Sequence, residues 1–125
     1  MEKKMKSRSI VEEKSYKFAL RIIKLYRHLT EEKKEYVLSK QILRCGTSIG
    51  ANVKEALQGE SKNDFIHKLS ISLKEASETE YWLNLLHDSN YISTKSFQSI
   101  TIECIELIKL TTAIIKTSRK NIRKK

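Results

Sequence analysis

Apolar residues recur along this chain at steps of three, four and seven, the period of a helix with one buried face. In a first segment, about residues 9–29, Val11, Phe18, Ile22, Leu25 and Leu29 form that line. Thr30 followed by Glu31 and Glu32 reads as an N-cap with acids at the positive end of the next helix. The second helix is therefore expected over about residues 31–58, with Gly59 placed to end it. Its apolar line is Leu38, Ile42, Cys45, Ile49, Val53 and Ala56, and beside it runs a polar line of Gln41, Arg44, Ser48, Asn52 and Glu55. Gly46 and Gly50, four residues apart, would let another backbone come close, at about 1 kcal/mol of helix propensity each relative to Ala. Ser61 with Asp64 resembles a capping box for a third helix, about residues 62–88, and Ser93 caps a fourth, about residues 94–118.

The third and fourth segments are apolar on more than one side. The third carries Phe65, Leu69, Leu73, Ala76 and Leu83 on one face, and Ile71, Glu75, Glu78, Trp82 and Leu85 on another. In the fourth, ten apolar residues between Phe97 and Ile115 leave a narrow polar strip around Ser99, Glu103 and Glu106. One small bundle hides less apolar surface than this, so self-association is expected. Short connections force neighbouring helices to run antiparallel. The expected fold is all-α: an antiparallel up-down-up-down four-helix bundle about 30–40 Å long, a single domain spanning residues 1–125.

Composition agrees with that pattern. No proline and only 3 glycines in 125 residues leave too few turn formers for a sandwich or barrel. No apolar run approaches the roughly 20 residues of a membrane span, and MEKKMKSRS has no apolar stretch behind it, so a cytoplasmic protein without a membrane partner is expected. The formal net charge is +10, and it sits at the ends: residues 1–8 carry +3, residues 116–125 carry +6, and everything between sums to +1. A further basic stripe, Lys14, Lys17, Arg21, Lys24 and His28, lies beside the apolar line of the first helix. Basic tails on a nearly neutral body suit an electrostatic grip on a polyanion, because Lys and Arg displace counterions from phosphates. The same tails would also simply keep the protein in solution.

Catalytic chemistry finds little support. Cys45 and Cys104 sit in apolar helical stretches and read as buried reduced thiols, with no CxxC and no neighbouring histidine. His28, His67 and His87 lack the Glu-x-x-His spacing of di-metal bundles, and only Asp64–His67 offers half such a motif. There is no phosphate-cradling glycine loop and no nucleophile elbow. Glu75 and Glu78 are expected to pair with Arg44 across a helix contact. No enzyme activity, metal or cofactor is expected.

The run CGTSIGANVKEALQGESKNDFIHKLSISLKEASETEYWLNLL, residues 45–86, resembles the small bacterial four-helix-bundle family first met as reading frames within intervening sequences of 23S ribosomal RNA genes. The family's helix-two pattern, Q-L-x-R-x-x-x-S-I-x-A-N-x-x-E, falls on Gln41, Ile42, Arg44, Ser48, Ile49, Ala51, Asn52 and Glu55. Spaced acids before an aromatic-aliphatic stretch fall on Glu75, Glu78, Tyr81, Trp82 and Leu83. Ala56 and Leu57 depart from the pattern, standing where many members carry a glycine directly. The resemblance implies a ring-like homo-oligomer, commonly a pentamer, with a central channel. It also implies similarity to the accessory protein of diversity-generating retroelements, a basic pentamer that binds nucleic acid and a reverse transcriptase. It implies no defined biochemical activity.

Two functions follow as expectations. The favoured one is a nucleic-acid-binding oligomer, RNA before DNA, gripping phosphates through Lys14, Lys17, Arg21, Lys24, Arg119, Lys120, Arg123, Lys124 and Lys125 without reading bases. The other is an oligomeric scaffold for a partner protein. In both, Arg44, Ser48, Asn52, Glu55, Glu75 and Glu78 are structural, joining the second and third helices or adjacent subunits. Ile71, Trp82 and Leu85 are expected at the subunit interface.

Overall fold

Four helices account for almost every residue that the structure, a computed structural model, describes: residues 2–123, with side chains from residue 6. They are α1 (Glu2–Glu31), α2 (Leu38–Leu57), α3 (Lys62–Asp88) and α4 (Thr94–Arg123). The chain is an all-α four-helix bundle with no strand among the described residues. Each helix packs on two neighbours, α1 and α3 both lying against α2 and α4, and the α1–α4 contact is the slightest.

The buried faces are those that the helical period marks. Val11, Phe18, Ile22 and Leu29 of α1 meet Ile42, Ile49 and Val53 of α2, Leu69 and Leu83 of α3, and Cys104 and Leu107 of α4 in one core. Burying a side chain of this size contributes about 1.5–3 kcal/mol, so this cluster is the main source of stability. Two polar side chains inside the core tie neighbouring helices together by donating to backbone carbonyls. Ser72 Oγ donates to the Ile49 carbonyl at 2.9 Å, tying α3 to α2, and Cys104 Sγ donates to the Ala76 carbonyl at 3.3 Å, tying α4 to α3.

Three boundaries differ from the sequence expectation. α1 begins at Glu2 rather than near residue 9, because residues 2–8 contain no helix breaker and good helix formers. The second helix begins at Leu38, not near residue 31. Thr30 does not cap it: its hydroxyl donates back to the Tyr26 carbonyl at 3.0 Å, inside the last turn of α1. The chain then turns through Lys34, in the left-handed region at φ 54°. The Glu35 carboxylate accepts from the backbone N–H groups of Val37, Leu38 and Ser39 at 3.1, 3.0 and 2.7 Å. Finally, α4 continues through the basic tail to Arg123, five residues beyond the expected end near 118. Ser118 is buried and Ile122 packs against the core, which anchors that extension. The start of α3 follows the expectation, with Ser61 Oγ accepting from the Asp64 N–H at 3.1 Å.

Candidate functional site

The basic stripe on α1 is largely engaged within the chain. Lys14 Nζ pairs with Glu106 at 2.8 Å, and Lys17 pairs with Glu13 of its own helix at 2.8 Å. Arg21 pairs with Glu103 and donates to Ser99 Oγ at 3.1 Å. The narrow acidic strip of α4 thus faces the stripe and cancels much of it. These pairs are half exposed, so each is worth at most about 1 kcal/mol and yields to a stronger anion. Lys24 makes no ion pair among the described residues.

The tail cations are placed differently. Arg119, Lys120 and Arg123 stand exposed on the last turns of α4, with Lys116 one turn earlier. None of them has an acidic partner among the described residues, since α4 carries no carboxylate after Glu106. Lys124 and Lys125 lie outside the described residues. Contacts between α1 and α4 run from Arg21–Glu103 to Lys14–Glu106, so continuing along both helices brings Lys6 and Arg8 towards the turns that carry the tail. Arg8 stacks its guanidinium 4.2 Å from the centre of the Phe65 ring.

On the opposite flank, Arg44 of α2 reaches α3, donating to Glu75 at 3.2 Å and to Glu78. The Trp82 indole N–H donates to Glu78 at 3.0 Å. These two donors outweigh partial burial and hold the Glu78 carboxyl below its usual range. Glu55 crosses the same interface, but to Lys68 at 3.2 Å rather than to Arg44. Ser48 and Asn52 do not bridge the two helices within the chain. The Ser48 hydroxyl donates to the Arg44 carbonyl at 2.7 Å and the Asn52 amide to the Ser48 carbonyl at 2.8 Å, both within α2. Ile71 and Trp82 are half-buried and Leu85 is 36% exposed. Tyr81, 58% exposed, stands edge-on to Trp82 on that flank, and outside it Tyr16, Leu20 and Ile102 are all more than half exposed.

Both cysteines are chemically quiet. Burial pushes the Cys104 thiol up to about 12 and raises that of Cys45 as well. The native protein is expected to leave an aromatic disulfide reagent at mildly alkaline pH almost unconsumed, and to titrate both thiols once unfolded in guanidinium. Rapid release from the native chain would show that the core opens far more readily than its packing implies. Among the described residues no group of three or more His, Cys, Asp or Glu side chains is placed to hold a metal ion. No helix among them is long and apolar enough to cross a membrane.

The Glu35 cap and the buried hydroxyls carry no periodic signal, so the hydrophobic pattern does not reveal them. A Glu or Asp four residues before a Ser, just ahead of an apolar line, would have been the clue to the cap.

Comparison with known proteins places this arrangement. No curated protein matches the chain. A crystal structure of a protein of unknown function from the S23 ribosomal protein family of Bacteroides thetaiotaomicron superposes with a TM-score of 0.87 at 54% sequence identity, covering 88% of this chain and 98% of that one. The family model of the 23S rRNA-intervening sequence protein matches residues 7–113. The chain belongs to the 23S rRNA-intervening sequence protein family.

Proposed function

We propose that this protein is a non-enzymatic, homo-oligomeric bundle, antiparallel in its up-down-up-down topology, that binds nucleic acid through phosphates without reading sequence. The observation that carries this reading is the set of unpartnered cations, Lys116, Arg119, Lys120 and Arg123, on the last turns of α4. Lys124 and Lys125 extend the same run in sequence. On α1, Lys24 adds a free charge, while Lys14, Lys17 and Arg21 contribute only by exchanging a carboxylate for a phosphate. RNA is the first candidate, DNA the second, in a cytoplasmic setting. A ring, with the pentamer as the expected count, would repeat the basic segment around its axis. Exposed Tyr16, Leu20, Tyr81, Leu85 and Ile102 supply apolar surface for the subunit contacts. Arg44, Ser48 and Asn52 lie on the same flank as Leu85 and Trp82 and would stiffen it.

The test is a fluorescence titration of structured RNA and duplex DNA over a range of salt. The native chain is compared with the triple variant Arg119→Gln, Lys120→Gln, Arg123→Gln. All three side chains are exposed, so the substitutions spare the packing that Ser118 and Ile122 provide. The expected result is binding that weakens steeply with salt, with a logarithmic slope shallower by about 2–3 in the variant. Absence of binding at low salt overturns the reading. The same exposed apolar surface would then favour the second one, a scaffold for a partner protein.

A further inference from the structure

At the end of the bundle away from the basic tail, α1, the turn after it, the end of α3, the α3–α4 connection and the first turns of α4 line a cavity of about 690 Å³. That volume lies within the range of small-molecule sites. Its ionisable lining is one-signed: Arg21, Lys24, Lys33, His28 and His87, with no carboxylate among the lining residues. Carboxylates do pair with three of these from outside the cavity: Glu103 with Arg21, Glu32 with His28 and Asp88 with His87. Lys24 and Lys33 have no such partner among the described residues, and both are exposed at the rim. An anion in this cavity would therefore meet two lining ammonium groups that no carboxylate opposes.

The rest of the lining narrows the kind of anion. Ser93, Thr94 and Ser96 add hydroxyls to the lining; Ser93 Oγ accepts from the Ser96 N–H at 3.1 Å and keeps its own proton to donate, while Thr94 Oγ1 shares a hydrogen bond with His87 Nε2 at 3.0 Å. Leu25, Tyr91, Ile92 and Ile100 provide an apolar surface with one aromatic ring. An inorganic anion would leave that surface wet, and an uncharged apolar ligand would leave the lysines unmatched. A tetrahedral dianion takes ammonium and hydroxyl donors at once, and a flat heterocycle suits an apolar surface that carries a tyrosine. We infer that this cavity binds a nucleoside 5′-phosphate, with Lys24 and Lys33 holding the phosphate and Tyr91 contacting the base. The same chemical group occurs as a free nucleotide and as the 5′ end of a strand. The site shares Lys24 and Arg21 with the proposed nucleic-acid grip, but it stands apart from the tail, which lies at the other end of α4.

Isothermal titration of the full chain with adenosine 5′-monophosphate, adenosine and inorganic phosphate tests it. The monophosphate is expected to bind saturably with a Kd below about 1 mM, and adenosine and phosphate each about tenfold more weakly. The pair Lys24→Gln with Lys33→Gln, both at exposed positions, should melt like the native chain and weaken the monophosphate about tenfold. The tail triple variant should bind the monophosphate unchanged. Competition by a short 5′-phosphorylated oligonucleotide, but not by its 5′-hydroxyl counterpart, assigns the site to strand ends; monophosphate binding without competition assigns it to free nucleotides. No saturable binding, binding indifferent to the lysine pair, or binding lost in the tail variant overturns the inference. Phosphate binding as tightly as the monophosphate overturns it too. None of these results alters the salt-dependent test of the tail.

Discussion

Glu35→Ala should destabilise the chain by about 2–3 kcal/mol, a fall in Tm of roughly 8–12 °C for a chain of this size. The side chain is only 8% exposed, yet it has no cationic partner among the described residues. Its carboxylate instead accepts from three consecutive backbone N–H groups at the start of α2, and the Ser39 hydroxyl returns the bond by donating to the Glu35 carbonyl at 2.8 Å. Alanine would strand those donors in a partly buried turn. Burial alone would push the Glu35 carboxyl up, but the N–H groups of Leu38, Ser39 and Val37 outweigh it and hold the carboxyl below its ordinary value of 4.5. A carboxyl whose folded pKa lies below the unfolded one stabilises fully above the unfolded value and loses that contribution as pH falls through the folded one. Glu35→Gln, which keeps an acceptor without the charge, should therefore sit between the native chain and the alanine variant at neutral pH. Its deficit should shrink as pH drops below about 4.5. Thermal melts across that range check both points. A Tm for Glu35→Ala within a degree or two of the native chain, or a glutamine deficit that ignores pH, would show that the start of α2 is held by something else.

How the rest of α2 could be read from sequence shows why its start could not. Ile42, Cys45, Ile49, Val53 and Ala56 recur at three and four and are all buried, because a helix against a core has one face to hide and that constraint is written locally. The cap is also local, but Thr30-Glu31-Glu32 imitates a start signal while Glu35 is followed by the exposed apolar pair Tyr36 and Val37. A hydroxyl in a last turn serves its own helix as readily as it caps the next one, and only the path of the chain through Lys34 separates the two cases. The basic stripe was legible as a stripe but not as a neutralised one. Its partners Glu106 and Glu103 lie 92 and 82 residues away from Lys14 and Arg21, and no period links them. Arg44 with Glu75 and Glu78 was the exception: an arginine facing two acids one turn apart on the next helix is a pairing that the helical period itself suggests. The one-signed cavity lay beyond sequence altogether, since α1, the turn after it, the α3–α4 connection and the start of α4 each supply only part of its lining.

Gly46→Leu is expected to do more damage still, about 3 kcal/mol or more net, seen as a large drop in Tm or in the yield of folded protein. A Cβ built on Gly46 would lie 2.7, 2.8 and 3.0 Å from Cγ1, Cγ2 and Cδ1 of Ile22. Ile22 is fully buried, so it has no solvent into which to swing. Helix propensity works the other way, since leaving glycine gains about 0.8–1 kcal/mol in a helix interior, but three further carbons must enter a contact already closed to the first. Gly50, one turn on and facing α1 as well, sharpens the test. There a Cβ would meet the Ser15 carbonyl oxygen at 3.3 Å, tight but within reach of a small backbone adjustment. Gly50→Ala should consequently be near neutral, its propensity gain offsetting the shift. If the Gly46 clash is with Ile22 in particular, Ile22→Ala in the Gly46→Leu background should cost about 1–3 kcal/mol less than it does alone, a coupling that a double-mutant cycle reads directly. Additive losses would place the leucine against other neighbours. A Gly46→Leu chain that melts like the native one would mean that α1 does not approach α2 as closely here as the packing of Ile22 requires.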